Sequence, residues 1–243
     1  MSELTASSTL AEWVATHPKI AQVMEAHRLD YCCGGNRSLQ AACAERGLSA
    51  ETVESELRST IHATRLDAEP HADWSKRSLA ELCDHIERSH HTYLRQSLPR
   101  LKRLLEMVVA AHGARHPGLQ DVFAIFSSLT EELGPHLMKE EQILFPAIRR
   151  LEQEQAPPHF AFGTVQNPIH VMEHEHDAVG QLLHQLDSLT GSYTPPPDAC
   201  ESWRQLLLGL KNLELDLHQH IHKENNLLFP AAAKLESQKR GAM

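Results

Sequence analysis

Apolar residues recur along almost the whole chain with the spacing of an amphipathic α-helix. They fall at positions i, i+3, i+4 and i+7, whereas the period-2 alternation that is typical of β-strands is rare. Capping signals divide this pattern into separate helices: Thr9 and Ser78 each begin a capping box, and Ser38 and Ser49 are suited to cap two further helices. The pattern therefore predicts an all-α protein.

The predicted helices form two groups. Residues 1–66 hold short helices around the turn 30–35, Asp-Tyr-Cys-Cys-Gly-Gly, and we expect a small N-terminal helical domain there, which we call the head. The periodicity fades between 62 and 75, and this stretch is interpreted as a linker. Residues 76–237 hold four longer patterns with short or proline-rich connections, which predicts an antiparallel four-helix bundle.

Proline and glycine signals set the expected bounds of the four long helices. They are predicted from Ser78 to about Ala111, from Pro117 to about Glu152, from Asn167 to near Gly191, and from just after Pro197 to about Glu236. Asn167 is interpreted as an N-cap that is followed by Pro168 at the first helical position. A kink is expected at Gly134-Pro135, because a proline inside a helix removes a backbone donor.

An internal repeat organises the bundle. The eleven residues that begin at His136 recur from His220, 84 residues later, with six identical positions. One helix earlier, the apolar stripe of His91 matches the stripe of His176 at an offset of 85. The bundle is therefore predicted to be a duplicated helical hairpin. Each hairpin supplies one histidine from its first helix and a His-x3-Glu pair from its second.

This duplication yields a set of candidate metal ligands. In each His-x3-Glu pair, the i, i+4 spacing places both side chains on one helix face, which continues the apolar stripe. Such groups are costly to bury unless a cation compensates their charge. Four imidazoles and two carboxylates are too many for one tetrahedral zinc ion, and they suit two metal ions bridged by both carboxylates, with iron preferred over manganese. The candidate ligands are His91, His136, Glu140, His176, His220 and Glu224.

Two residues beside these ligands keep alternative interpretations. His90 also lies on an apolar stripe, and only the register of the repeat favours His91 as the ligand. Glu175 is interpreted either as a surface charge or as a proton acceptor behind the metal ligands. Because imidazoles outnumber carboxylates, the set favours ferrous iron. Binding or reduction of a small diatomic molecule, or iron handling, is therefore expected rather than oxygenase chemistry.

Composition narrows the class of protein. The chain has 243 residues, a formal charge of −9 and 18 histidines, and it offers no basic stripe for a nucleic-acid partner. Because it shows neither a signal peptide nor a membrane-spanning apolar run, we expect a cytoplasmic protein. Several of the surplus histidines are expected to face outward from the bundle, namely His170, His174, His218 and His222.

The candidate ligand pattern resembles that of hemerythrin-like di-iron domains. With the turn 30–35 and the blocks 138–146 and 224–230, the chain resembles more specifically the repair-of-iron-centres family. The resemblance implies a cytoplasmic protein in which Glu140 and Glu224 bridge two non-haem iron ions. It also implies a role in restoring iron–sulfur clusters damaged by nitric oxide or oxidants. Some members are regarded instead as nitric-oxide binders or reducers linked to denitrification, so a nitric oxide reductase-like activity stays open.

The sequence also leads to expectations for the five cysteines and for the molecules that the protein contacts. Cys32 and Cys33 are interpreted either as a small buried apolar pair or as thiols that reduce, or accept iron from, a partner site. Cys43, Cys83 and Cys200 lie within helical patterns and are expected in the core. The expected partners are nitric oxide or oxygen and damaged iron–sulfur proteins. The linker is long enough to allow a homodimer that exchanges heads.

Overall fold

The computed structural model describes residues 4–66, Trp74 and 77–241, except for the side chains of 62–66. Of the predicted linker 62–75, residues 67–73 and 75 lie outside these residues, whereas 62–66 form the end of a helix. Every regular element in the described part is a helix, which confirms the predicted all-α class. None of the described helices is both long and apolar enough to cross a membrane.

The head consists of four helices around its own apolar core. They are α1 (Leu10–Thr16), α2 (Ala21–Ala26), α3 (Leu39–Glu45) and α4 (Ala50–Leu66), with a 3₁₀ turn at Pro18–Ile20. The capping box at Thr9 and the N-cap at Ser38 are confirmed. Trp13 and Leu57 are fully buried in the head core, which is separate from the core of the bundle.

The rest of the chain forms the predicted four-helix bundle. Its helices are α5 (Leu79–Ile86), α6 (Thr92–His112), α7 (Gly118–Lys139), α8 (Phe145–Gln153), α9 (Gln166–Leu189), α10 (Glu201–Lys223) and α11 (Phe229–Gly241). Three π-helical turns join these into longer helices: Glu87–His91 joins α5 to α6, Glu140–Leu144 joins α7 to α8, and Glu224–Leu228 joins α10 to α11. In the bundle, α7 packs on α6 and α9, and α10 packs on α6.

The first π-helical turn explains why the sequence offered two histidines at one place. The stripe that faces the core reaches His90 from Ile86 on one side, and it reaches His91 from Leu94 on the other. A π-turn accommodates one extra residue, so both histidines are buried. In the second long helix, α7 continues as regular helix through Pro135. The departure from regular α-helix lies at Glu140–Leu144 rather than at the predicted kink.

The start of α9 also differs from the prediction. The helix begins at Gln166, and the Asn167 side chain donates to the Phe162 carbonyl oxygen at 2.7 Å instead of capping the helix. The Glu236 carboxylate on α11 accepts from the Val165 N–H at 3.0 Å. The Glu152 carboxylate, 84 residues earlier, accepts from the first backbone N–H groups of α5. Both cross-helix caps were missed, because their acceptors are distant in sequence.

One predicted core cysteine lies elsewhere. Cys43 and Cys83 are buried as expected, whereas Cys200 is exposed. Cys200 is the N-cap residue of α10, where the chain has just left a proline-rich connection, and its sulfur lies 3.2 Å from Nε2 of His112. The prediction began this helix just after Pro197 and so placed Cys200 inside it, whereas the helix begins at Glu201.

A cluster of acidic groups lies where the head meets the bundle, and it makes stability depend on pH. Burial raises the pKa of Glu214 to about 7; Asp187 and Glu25 raise it further, while Tyr193 and Arg28 oppose the rise. Because folding raises this pKa, the contribution of Glu214 to the free energy of unfolding is most favourable below about pH 4.5. This contribution decreases as the pH rises towards 7.

The free energy of unfolding of the Glu214→Gln protein is therefore expected not to show this decrease with rising pH. At pH 8 it should be more stable than the wild type by about 1–2 kcal/mol, after allowance for partial solvent exposure. Urea unfolding at pH 5 and pH 8 measures the difference. If the free energy of unfolding changed by the same amount between pH 5 and pH 8 in both proteins, the pKa of Glu214 would not be raised by folding.

Candidate metal centre

The six candidate ligands meet in the middle of the bundle. Their side chains are all at most 2% exposed, although they come from four different long helices. The Nε2 atoms of His91 and His220 lie 3.3 Å apart, and we call this pair the first position. The Nε2 atoms of His136 and His176 lie 3.2 Å apart, and we call this pair the second position.

Each glutamate reaches both positions. Glu140 places Oε2 3.3 Å from Nε2 of His91 and Oε1 3.2 Å from Nε2 of His136. Glu224 places Oε1 3.1 Å from Nε2 of His220 and Oε2 3.2 Å from Nε2 of His176. Each carboxylate therefore presents one oxygen atom to each pair of imidazoles, which is the arrangement of a bridging ligand.

The residues fit two cations. Both carboxylates are fully buried, and none of their four oxygen atoms has a hydrogen-bond partner among the described residues. Such groups are costly to bury unless a cation or another charge compensates them. Nitrogen and oxygen ligands about 2.1 Å from one ion and at right angles to each other lie about 3 Å apart, close to the separations of 3.1–3.3 Å seen here. Among the described residues, His90 belongs to neither of the two sets of potential ligand atoms that form the first and second positions.

The electrostatics of the centre keep the ligand carboxylates ionised. Burial alone would raise the pKa of Glu224, but His220 and His176 together outweigh it and hold this pKa well below its usual range. Burial opposes the charged form of His136, but Glu140, Glu224 and Glu175 together outweigh it and raise the pKa of His136 to about 9. Protons and metal ions therefore compete for the same imidazoles.

Acceptors behind the imidazoles orient three of them. Nδ1 of His91 contacts Glu141 Oε1 at 2.7 Å, and Nδ1 of His136 contacts Glu175 Oε2 at 2.9 Å. Asn225 Oδ1 lies 2.7 Å from Nδ1 of His176. An acceptor at Nδ1 makes that nitrogen the donor, so the lone pair of Nε2 faces the metal position.

Sequence reasoning found only one of these acceptors. Of the two interpretations of Glu175, its position fits the proton acceptor rather than the surface charge. However, Glu175 contacts His136 on α7 and not its chain neighbour His176. Glu141 and Asn225 were missed. Each directly follows a candidate bridging glutamate, at matching positions of the repeat. That correspondence was the signal that could have found them.

The turn 30–35 of the head lies on the bundle beside the centre. Cys33 Sγ is 3.8 Å from the backbone oxygen of His176, and it is 4.0 Å from Cys32 Sγ. One carboxylate oxygen of Asp30 accepts from both cysteine N–H groups, at 3.1 and 3.0 Å, so it fixes the turn. Asp30, Cys32 and Cys33 bring three potential ligand atoms within 4.8 Å of one another.

Two histidines that were expected to face outward hold the head. His222 is only 4% exposed, and its Nδ1 lies 3.1 Å from the backbone oxygen of Tyr31. The rings of His218 and His222 both pack edge-on against the Tyr31 ring. Both side chains point away from the bundle core, as expected, but the docked head covers them, which the sequence did not indicate. His170 and His174 are exposed, as predicted.

Comparisons with known proteins agree with this centre. A family model described as the hemerythrin HHE cation binding domain matches residues 82–232, and a domain of unknown function, DUF542, matches residues 6–60. The iron-sulfur cluster repair protein YtfE of Yersinia pestis (strain Pestoides F) is 39% identical over 90% of this chain and 93% of the relative. The protein of the same name from Yersinia pseudotuberculosis serotype O:1b (strain IP 31758) shows the same identity and coverage.

Proposed function

Because this chain belongs to the repair-of-iron-centres family of hemerythrin-like proteins, we propose that it helps to restore iron–sulfur clusters damaged by nitrosative or oxidative stress. The observation that carries the proposal is the pair of fully buried glutamates, each of which offers one oxygen atom to two pairs of imidazoles. The relatives that cover most of the chain are named for iron–sulfur cluster repair. The cytoplasm, where such clusters need repair, is the proposed location.

The cations proposed for the two positions are non-haem iron ions. His91 and His220 would hold one ion, His136 and His176 would hold the other, and both glutamates would bridge them. Mixed imidazole and carboxylate ligation inside a helical bundle suits iron. When bound, the two ions would supply electrons and exchangeable coordination sites for a small ligand such as nitric oxide or oxygen.

The surrounding residues keep the centre ordered and dry. Phe145 lies against the His91 ring with 5.7 Å between ring centroids, and Phe229 stacks on the His176 ring at 6.0 Å. Both phenylalanines are essentially fully buried. Apolar walls of this kind limit the access of water.

The thiol pair of the head is proposed to accept iron from the bundle or to reduce a partner site. We take residues 1–66 and 76–237 as the two domains, and the turn 30–35 of the head contacts the bundle beside the metal positions. Cys33 is half-buried and touches the backbone of a proposed ligand. The contact with Cys33 and burial raise the pKa of the Cys32 thiol well above its usual value, so this thiol is protonated until a metal ion displaces the proton.

Substituting one proposed ligand tests the function. The His176→Ala protein should retain about one iron ion per chain instead of two, because only the second position loses a ligand, and it should not restore the activity of a [4Fe–4S] protein inactivated by nitric oxide. The matched control is His174→Ala, two residues away and exposed, which should retain both iron ions and repair. Full repair by a His176→Ala protein that has lost one iron ion would contradict the proposal.

A second candidate function is binding or reduction of nitric oxide without repair. The excess of imidazoles over carboxylates favours it, because such a set stabilises ferrous iron. A nitric-oxide scavenger would not need the head thiols, so Cys32→Ser/Cys33→Ser should leave it unaffected while impairing repair. Nitrous oxide released in a single turnover of the reduced protein would identify the reductase activity.

A further inference from the structure

The internal repeat allows the two metal positions to be compared residue by residue. Both positions have two imidazoles, and both share the same two carboxylates. Any difference in how firmly they hold a cation must therefore arise behind the ligands. The acceptors at the Nδ1 atoms are the groups that differ.

At the second position both imidazoles have an acceptor. Glu175 holds His136 at 2.9 Å, and Asn225 holds His176 at 2.7 Å. At the first position only His91 has one, the Glu141 carboxylate at 2.7 Å. Nδ1 of His220 is buried and has no hydrogen-bond partner among the described residues. The His220 ring is therefore oriented without an acceptor behind it in the described part of the chain.

The repeat shows why His220 lacks an acceptor. Lys223 corresponds to Lys139 at an offset of 84, and His90 corresponds to Glu175 at an offset of 85. Glu175 contacts both Lys139 and His136. His90 also contacts its lysine, at 2.6 Å, but its ring stacks on the His220 ring with centroids 5.3 Å apart and an angle of 2°. It therefore offers a ring face where Glu175 offers an oxygen atom.

We propose that the first position, between His91 and His220, releases its metal ion before the second position does. Groups that orient a ligating histidine typically change metal affinity by about 10–100-fold, and the first position lacks one of them. The inference rests on the proposed di-iron centre and identifies which of its two ions is available for transfer. One ion would then leave while the other, held by His136 and His176, stays.

Release of ferrous iron to a chromogenic chelator under anaerobic conditions tests this inference. The fully loaded protein should release its iron in two phases of about one ion each. The rates should differ by about 10–100-fold. The readout is metal release from purified protein, so it does not depend on repair activity.

Substituting His90 assigns the fast phase. In His90→Gln, the amide oxygen can accept from Nδ1 of His220 while the amide nitrogen donates to Asp216, which contacts His90 at 2.9 Å in the wild type. This change should slow the fast phase about 10-fold or more and leave the slow phase unchanged. The matched control is His85→Gln, which removes another histidine that contacts Lys223 and should change neither phase.

The outcomes separate this inference from the proposed function. A protein that binds fewer than two metal ions contradicts the di-iron proposal itself. A protein that binds two ions and releases them in a single phase overturns only the inequality of the positions. Two phases with an unchanged fast phase in a His90→Gln protein that loads two ions also overturn it.

Discussion

The Glu140→Leu protein is expected to lose both metal ions rather than one. Each oxygen atom of Glu140 faces a different pair of imidazoles, so removing this carboxylate takes a ligand from both positions at once. It also removes one of the two negative charges that compensate the cations. Metal analysis after loading with excess ferrous iron and desalting measures the effect, and we expect less than about a tenth of the wild-type iron.

Two comparisons show whether the bridge is responsible. The His91→Ala change removes a ligand from the first position only, so this protein should retain about one ion per chain. The Glu141→Leu change removes only the acceptor of His91, so it should weaken binding about 10–100-fold without abolishing it at saturating iron. A Glu140→Leu protein that keeps one full equivalent of iron would mean that this carboxylate serves a single ion.

The two proposed bridging glutamates, Glu140 and Glu224, should destabilise the protein when no metal is bound. Both are fully buried, and their four oxygen atoms have no hydrogen-bond partner among the described residues. Replacing a buried ion pair by uncharged groups often stabilises a protein by about 1–4 kcal/mol. The imidazoles of His91 and His136 that are left behind become neutral, because burial lowers their pKa and the carboxylates that raise it are gone. The metal-free Glu140→Leu/Glu224→Leu protein is therefore expected to be more stable than the metal-free wild type by that amount. Urea unfolding in the presence of a chelator measures the difference.

When metal is bound, the wild type should be more stable than the Glu140→Leu/Glu224→Leu protein. A ligand at a thousandfold excess over its dissociation constant stabilises the folded state by about 4 kcal/mol per ion, and only the wild type can bind it. Glu132→Leu is the matched control, because Glu132 is exposed on the same helix, and its effect should stay within about 0.5 kcal/mol. A metal-free double variant less stable than the wild type would show that the carboxylates support the fold without metal.

Local signals made much of the fold predictable. The capping boxes at Thr9 and Ser78 act within one helical turn, so a single sequence contains all of their partners. The candidate ligands were predictable because the repeat duplicates a His-x3-Glu pair on two helix faces. The structure brings these residues together without exception.

The parts that were missed depend on contacts between helices. Adjacent helical residues point about 100° apart, so Glu175, next to His176 in the chain, contacts the neighbouring helix and serves His136. His222 points away from the bundle, but the head covers it. The π-helical turn at Glu87–His91 arises from packing, and it is what buries both His90 and His91.

The iron content of the full chain, purified anaerobically, tests the di-iron centre most directly. We expect two iron ions per chain in the wild type, with an optical band of carboxylate-bridged ferric ions after oxidation. The same preparation of Glu140→Leu should contain almost none. One zinc ion and no iron in the wild type would contradict the di-iron centre.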